Sequence, residues 1–161
     1  MVTIPELIKI LKLENRLVHD QTRDLTHADT LIQPKPSGNC MNWVLGHLLD
    51  TLIEILQVLG GESPITSEHL ERYTRESEPI TGDGKEVVKL DELLDGHDLV
   101  HEAIVARLGE LSEKDFETEI VVGEKSVVRG WRVFFLHFHY TYHIGQLELL
   151  RQLAGKADKV I

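Results

Sequence analysis

The segment from roughly Val128 to Leu153 constrains this chain most, because it is long, mostly apolar and apolar on almost every side. A helix with that character is either central in its domain or shared with a second subunit. Its histidines give it chemistry as well. His139 and His143 are four residues apart, so a helix stacks them one turn apart on one face. At the helical period that face also carries Val128, Phe135, Leu136, Tyr142, Gln146, Leu150 and Leu153. Two imidazoles in an apolar stripe need polar partners, since an unpaired buried polar group is costly. A divalent metal is one such partner; a satisfied core histidine is the alternative, and spacing alone leaves both open. His137 falls almost opposite, beside Phe134, Thr141 and Ile144.

Three further helices are predicted. The first opens at Thr3, where Thr3 and Glu6 have capping-box spacing and Pro5 suits a first turn, and runs to about Leu25. His27 to Asn39 reads as a loop, broken by Pro34, Pro36 and Gly38. The second helix begins between Cys40 and Asn42 and stops at Gly60-Gly61. One of its faces is leucine-rich; the other carries Trp43, Val44, His47, Thr51, Glu54 and Val58 and suits a site. Glu62 to about Lys89 is polar and too long for a tight turn, so it crosses the helices or lies over their ends. The third helix runs roughly from Asp91 to Leu108, with Leu90, Leu94, His97, His101, Ile104, Val105 and Leu108 on its apolar face. Thr118 to Val128 reads as a short hairpin or an extended crossing. The expectation is an all-α single domain over residues 1–161, a four-helix bundle.

Composition excludes several classes. The formal net charge of −10, with no Lys/Arg cluster, argues against a nucleic-acid surface. No apolar run approaches the ~18 residues of a membrane span. The N-terminal stretch lacks a basic region followed by an apolar run, so no signal peptide is expected. Cys40 is the single cysteine, which rules out an intrachain disulfide or a cysteine-based zinc site and suits the cytoplasm.

Two stretches taken together carry a resemblance: Asn42-Trp43-Val44-Leu45-Gly46-His47-Leu48-Leu49, and His139-Tyr140-Thr141-Tyr142-His143-Ile144-Gly145-Gln146. A G-H-L segment followed late by H-x-x-x-H-x-G-Q resembles the DinB-like (YfiT-like) family of metal-dependent four-helix-bundle proteins. Helix order and length match over nearly the whole chain. The resemblance implies an up-down-down-up bundle, frequent homodimers, and a metal held by His47, His139 and His143. It implies no single reaction, since relatives include thiol-dependent transferases, a maleylpyruvate isomerase and many members without known activity. The His97/His101 pair is no part of that pattern.

Three neutral imidazoles would leave the full charge on a zinc or nickel ion and keep a coordination position open. Such an ion lowers the pKa of bound water or a thiol, making a nucleophile at neutral pH. The enzyme reading is therefore attack by an activated thiol or water on a small electrophile, with a low-molecular-weight thiol as a possible cosubstrate. The competing reading is a non-catalytic dimeric module whose metal is structural or vestigial. Gln146, one turn past His143, is a candidate to orient a ligand, and Glu54, two turns beyond His47, a candidate general base. Arg132 is a candidate for an anionic substrate, Trp43 and Tyr142 for the pocket wall, and Cys40 for a reactive thiol, each against a plain packing or surface role. Gly46 and Gly145 are expected where two helices approach closely. His97 and His101 are expected to border the pocket without ligating, while His27 and His69 sit in loops and His19 late on the first helix. Phe134, Phe138 and Ile144 are expected at a dimer surface.

Overall fold

The computed structural model describes residues 3–66 and 70–160. His69 lies outside them. The first helix, α1 (Ile4–Thr22), starts on the expected capping box: the Thr3 amide donates to Glu6 Oε2 at 2.8 Å, and the Glu6 amide donates to Thr3 Oγ1 at 3.4 Å. It ends three residues before Leu25, because Asp24 turns into the left-handed region at φ 60°. The segment read as a loop contains a one-turn helix, α2 (His27–Thr30), opened by a second capping box of Thr26 and Asp29.

The next helix, α3 (Met41–Val58), stops where the glycine pair predicts. Gly60 takes φ 78°, and the amides of Gly60 and Gly61 donate to Gln57 O and Leu56 O. After it come a 3-10 turn (Leu70–Tyr73), α4 (Leu90–Glu110) and a short helix, α5 (Glu113–Phe116). The hairpin alternative holds: β1 (Glu119–Val122) pairs antiparallel with β2 (Lys125–Val128), with Ile120 opposite Val127 and Gly123 in the turn. The last helix, α6 (Arg129–Leu153), follows directly.

Four long helices make the body. α3 packs on α4 and α6, and α1 packs on the same two. The central helix is α3, buried on nearly every face, with Leu45, Leu48, Leu49, Leu52 and Leu56 at its heart. Of the two readings of the last helix, central or shared with a second subunit, the central one does not hold. Helix α6 buries one stripe, Val133, Leu136, Tyr140, Ile144, Leu147 and Leu150, and leaves Trp131, Phe134, Phe138 and Leu149 exposed. The core stripe is thus displaced from the histidine face toward Tyr140 and Ile144. Phe135, Tyr142 and Leu153 of that face are exposed, and the histidines stand at the edge of the core. Ile144, expected at a dimer surface, is 4% exposed and belongs to the core. No helix among the described residues is long and apolar enough to cross a membrane.

Candidate metal centre

The site begins with one turn of α3. Asn42 and Gly46 lie one turn apart, and Tyr73, from the crossing between α3 and α4, fits against both. Its ring covers Gly46 so closely that a Cβ there would stand 2.1 Å from Tyr73 Cδ1. Its hydroxyl donates to Asn42 Oδ1 at 3.0 Å and accepts from the Val88 amide at 2.8 Å, while Asn42 Nδ2 donates to Val88 O at 2.9 Å. Every polar group of this inserted side chain is therefore partnered, as burial demands. Gly46 makes room for Tyr73 rather than for a helix. Gly145 has no neighbour within 4 Å of a Cβ, so the expectation of a close helix crossing at the two glycines does not hold.

Tyr73 sets the chemistry of the next residue. Its carbonyl oxygen lies 2.9 Å from His47 Nδ1, so that nitrogen donates and Nε2 keeps its lone pair. Trp43 stacks on the imidazole at 4.9 Å between ring centres, and its indole N–H donates to Ser77 Oγ at 2.9 Å. From α6, His139 Nε2 comes within 2.9 Å of His47 Nε2. His143 Nδ1 donates to Gln146 Oε1 at 2.6 Å, which again leaves Nε2 with the lone pair. One nitrogen from each of the three histidines lies within 4.8 Å of the other two.

This donor set fits a divalent ion. Ligating histidines must be neutral, and all three are held toward that form. Burial pulls His47 down, against the Tyr73 carbonyl. Burial also pulls His143 down, against Gln146. Burial, then repulsion from His143 and His47, brings His139 to about 4. Two lone-pair nitrogens backed by acceptors on their far sides are the arrangement that orients metal-binding histidines. Above them opens a cleft of about 920 Å³, walled by Trp43, Val44, Leu149 and Leu150 and carrying Gln146 and Arg75. Among the described residues the ligand group has three members, all histidines.

The other candidates are placed elsewhere. Glu54 is not brought to the histidines; its carboxylate pairs with Arg132 outside the cleft. Arg132 is held by that pair and lies over the Phe135 ring, so it does not face the cleft either. Cys40 is fully buried ahead of α3, and Tyr142 is mostly exposed with its ring edge against His143. His97 and His101 line no part of the cleft. His97, wholly buried, donates from Nε2 to Leu45 O at 3.0 Å and accepts at Nδ1 from the Tyr140 hydroxyl at 3.3 Å. His19 pairs with Asp98, and His27 with Asp83. His137 turns toward α1, 3.3 Å from the buried Glu14, whose carboxyl burial pushes up to about 7 against a Thr141 hydrogen bond. Tyr73 and Arg75 were missed from sequence. Both lie in the polar crossing, where no periodicity marks an inward side chain.

No curated protein sequence matches the chain. Among solved structures, a conserved protein from Enterococcus faecalis superposes with a TM-score of 0.72 at 18% identity, covering 97% of this chain and 100% of that one. That likeness concerns the fold. The sequence profile of the DinB superfamily matches residues 11–147, which include all three clustered histidines, the whole of α3 and most of α6, and the chain belongs to the DinB superfamily.

Proposed function

We propose that the chain is a metal-dependent enzyme in which His47, His139 and His143 hold a zinc or nickel ion that activates a thiol or water against a small electrophile. The observation that carries this reading is the convergence of three neutral imidazoles at the floor of an open cleft. A bound ion would supply Lewis acidity, lowering the pKa of a thiol or water. The chain's own residues do the rest. Tyr73 and Gln146 keep His47 and His143 in the ligating tautomer. Trp43, Val44 and Leu150 give the electrophile an apolar wall. Among the described residues no side-chain carboxylate lines the cleft as a general base, which favours a low-molecular-weight thiol, able to lose its proton to solvent, over water. A buried structural ion would instead need a closed fourth position, and the cleft supports an open one. The test is thiol consumption across a panel of electrophiles and several thiols, with protein purified without added metal or a polyhistidine tag and then loaded. Turnover above the metal-free control is expected; equal rates with and without metal would contradict the enzyme and favour the non-catalytic module.

The proposal includes a homodimer in the cytoplasm, with the four long helices in up-down-down-up order. The family likeness supports the helix order, and the lone, free Cys40 suits a reducing compartment. Away from the cleft, Trp131, Phe134 and Phe138 are 62%, 54% and 61% exposed, and Trp131 and Phe134 line a groove of about 1060 Å³ together with Leu7 and Ile10. Burying one such side chain is worth roughly 1.5–3 kcal/mol, so a second copy of the same patch is its best cover. Light scattering at micromolar concentration is expected to give the dimer mass; monomer alone would contradict it.

A further inference from the structure

Acidic residues outnumber basic ones in this chain by 27 to 17, yet among the described residues no carboxylate side chain lines the cleft over the three histidines. Among the described residues, the cleft's one permanently charged side chain is Arg75. Arg75 follows Tyr73 by two residues, so the crossing that holds His47 in its tautomer also brings a guanidinium to the cleft. Arg132 is engaged by Glu54, whereas Arg75 makes no hydrogen bond or ion pair with any described residue. The remaining walls divide into an apolar side, Trp43, Val44, Leu149, Leu150 and Leu153, and polar groups of Ser37, Asn39 and Gln146.

We propose that this cleft binds an amphipathic oxyanion, a small molecule whose carboxylate or phosphate pairs with Arg75 while its apolar body lies along the Trp43 and Leu150 wall. A guanidinium presents a planar fork that matches either oxyanion in a two-point contact, and its charge does not titrate away. The chain's formal net charge of −10 disfavours anions that lack this contact. This names the substrate class of the centre proposed above. Its catalytic meaning rests on that reading, but the anion contact needs only Arg75 and the cleft.

Calorimetric titration separates the two. The probes are 4-phenylbutyrate, 3-phenylpropylphosphonate and the neutral 4-phenylbutyramide, on wild type, Arg75→Gln and Arg75→Lys, each metal-loaded and metal-free. At least one anion is expected to bind wild type with or without metal and to beat the amide. Loss of the charged contact in Arg75→Gln is expected to weaken it about tenfold or more, with Arg75→Lys between. Metal content of Arg75→Gln is expected to equal wild type. Tighter carboxylate or tighter phosphonate identifies which oxyanion the site takes. If the amide binds as well as the anions, if Arg75→Gln keeps wild-type affinity, or if no anion binds wild type, the oxyanion site is wrong. Anion binding by protein that takes up no metal would sustain this site while sinking the metal reading.

Discussion

On α4, His97 and His101 stand one helical turn apart; on α6, His139 and His143 do the same. Both pairs lie in apolar surroundings, and burial pulls all four imidazoles down. Their surroundings differ in what is left over. His97 uses both ring nitrogens inside the core, on Leu45 O and the Tyr140 hydroxyl. His139 instead meets the ring nitrogen of His47 at 2.9 Å, beside His143 and under an open cleft. Spacing places two imidazoles on one face. Among the described residues, His101 Nε2 is left without a hydrogen-bond partner as well, so a third histidine and access are what set the α6 pair apart.

The largest way to break this contrast is Gly46→Ala. A methyl group 2.1 Å from the Tyr73 ring leaves no rotamer that keeps Tyr73 in place. Overpacking of this kind costs about 3 kcal/mol, and here it also removes the acceptor that orients His47. Denaturant unfolding is expected to show the loss, together with weakened metal binding; a variant with wild-type stability and affinity would disprove the clamp.

Acid sharpens the same contrast from the α4 side. Burial brings His97 from 6.5 down to about 4, so in that window the unfolded chain binds a proton that the folded chain refuses. Its contribution is therefore fully present above pH 6.5 and is lost as pH falls toward 4. At 1.36 kcal/mol per pKa unit the change is about 3 kcal/mol. Unfolding free energies of wild type and His97→Gln, measured across that range, are expected to differ in slope by about one proton. Parallel curves would show that His97 is not held neutral.

Gln146→Ala is expected to act more gently. It frees His143 Nδ1 without touching a ligand nitrogen, and losing such a backing partner typically lowers metal affinity about ten- to hundredfold. Competition with a chelator measures it, and unchanged affinity would reduce Gln146 to a cleft-wall residue.

Much of this contrast was legible beforehand. The capping box at Thr3, the Gly60-Gly61 stop and the hairpin before α6 each rest on local chemistry that a short stretch carries by itself. The three histidines were legible through the paired Gly46-His47 and His139-to-Gln146 stretches. What escaped is set by contacts distant in sequence. A hydrophobic wheel treats Tyr142 and Leu150 alike, and only packing against α3 and α1 decides that Leu150 is buried and Tyr142 is not. Glu54 has the right type and spacing for a base, but Arg132, 78 residues later, claims its carboxylate. Tyr73 and Arg75 lie in a polar crossing whose path follows from the Gly46 notch, and one missing side chain gives a sequence reading no direction.

The most direct test of the central claim is the metal content of five single variants, His47→Ala, His139→Ala, His143→Ala, His97→Ala and His101→Ala, each first shown by circular dichroism to be folded. Elemental analysis after loading with zinc or nickel and desalting is expected to find the first three stripped and the last two loaded like wild type. Retention of metal by His47→Ala, with loss from His97→Ala or His101→Ala, would contradict the assignment and move the centre to α4.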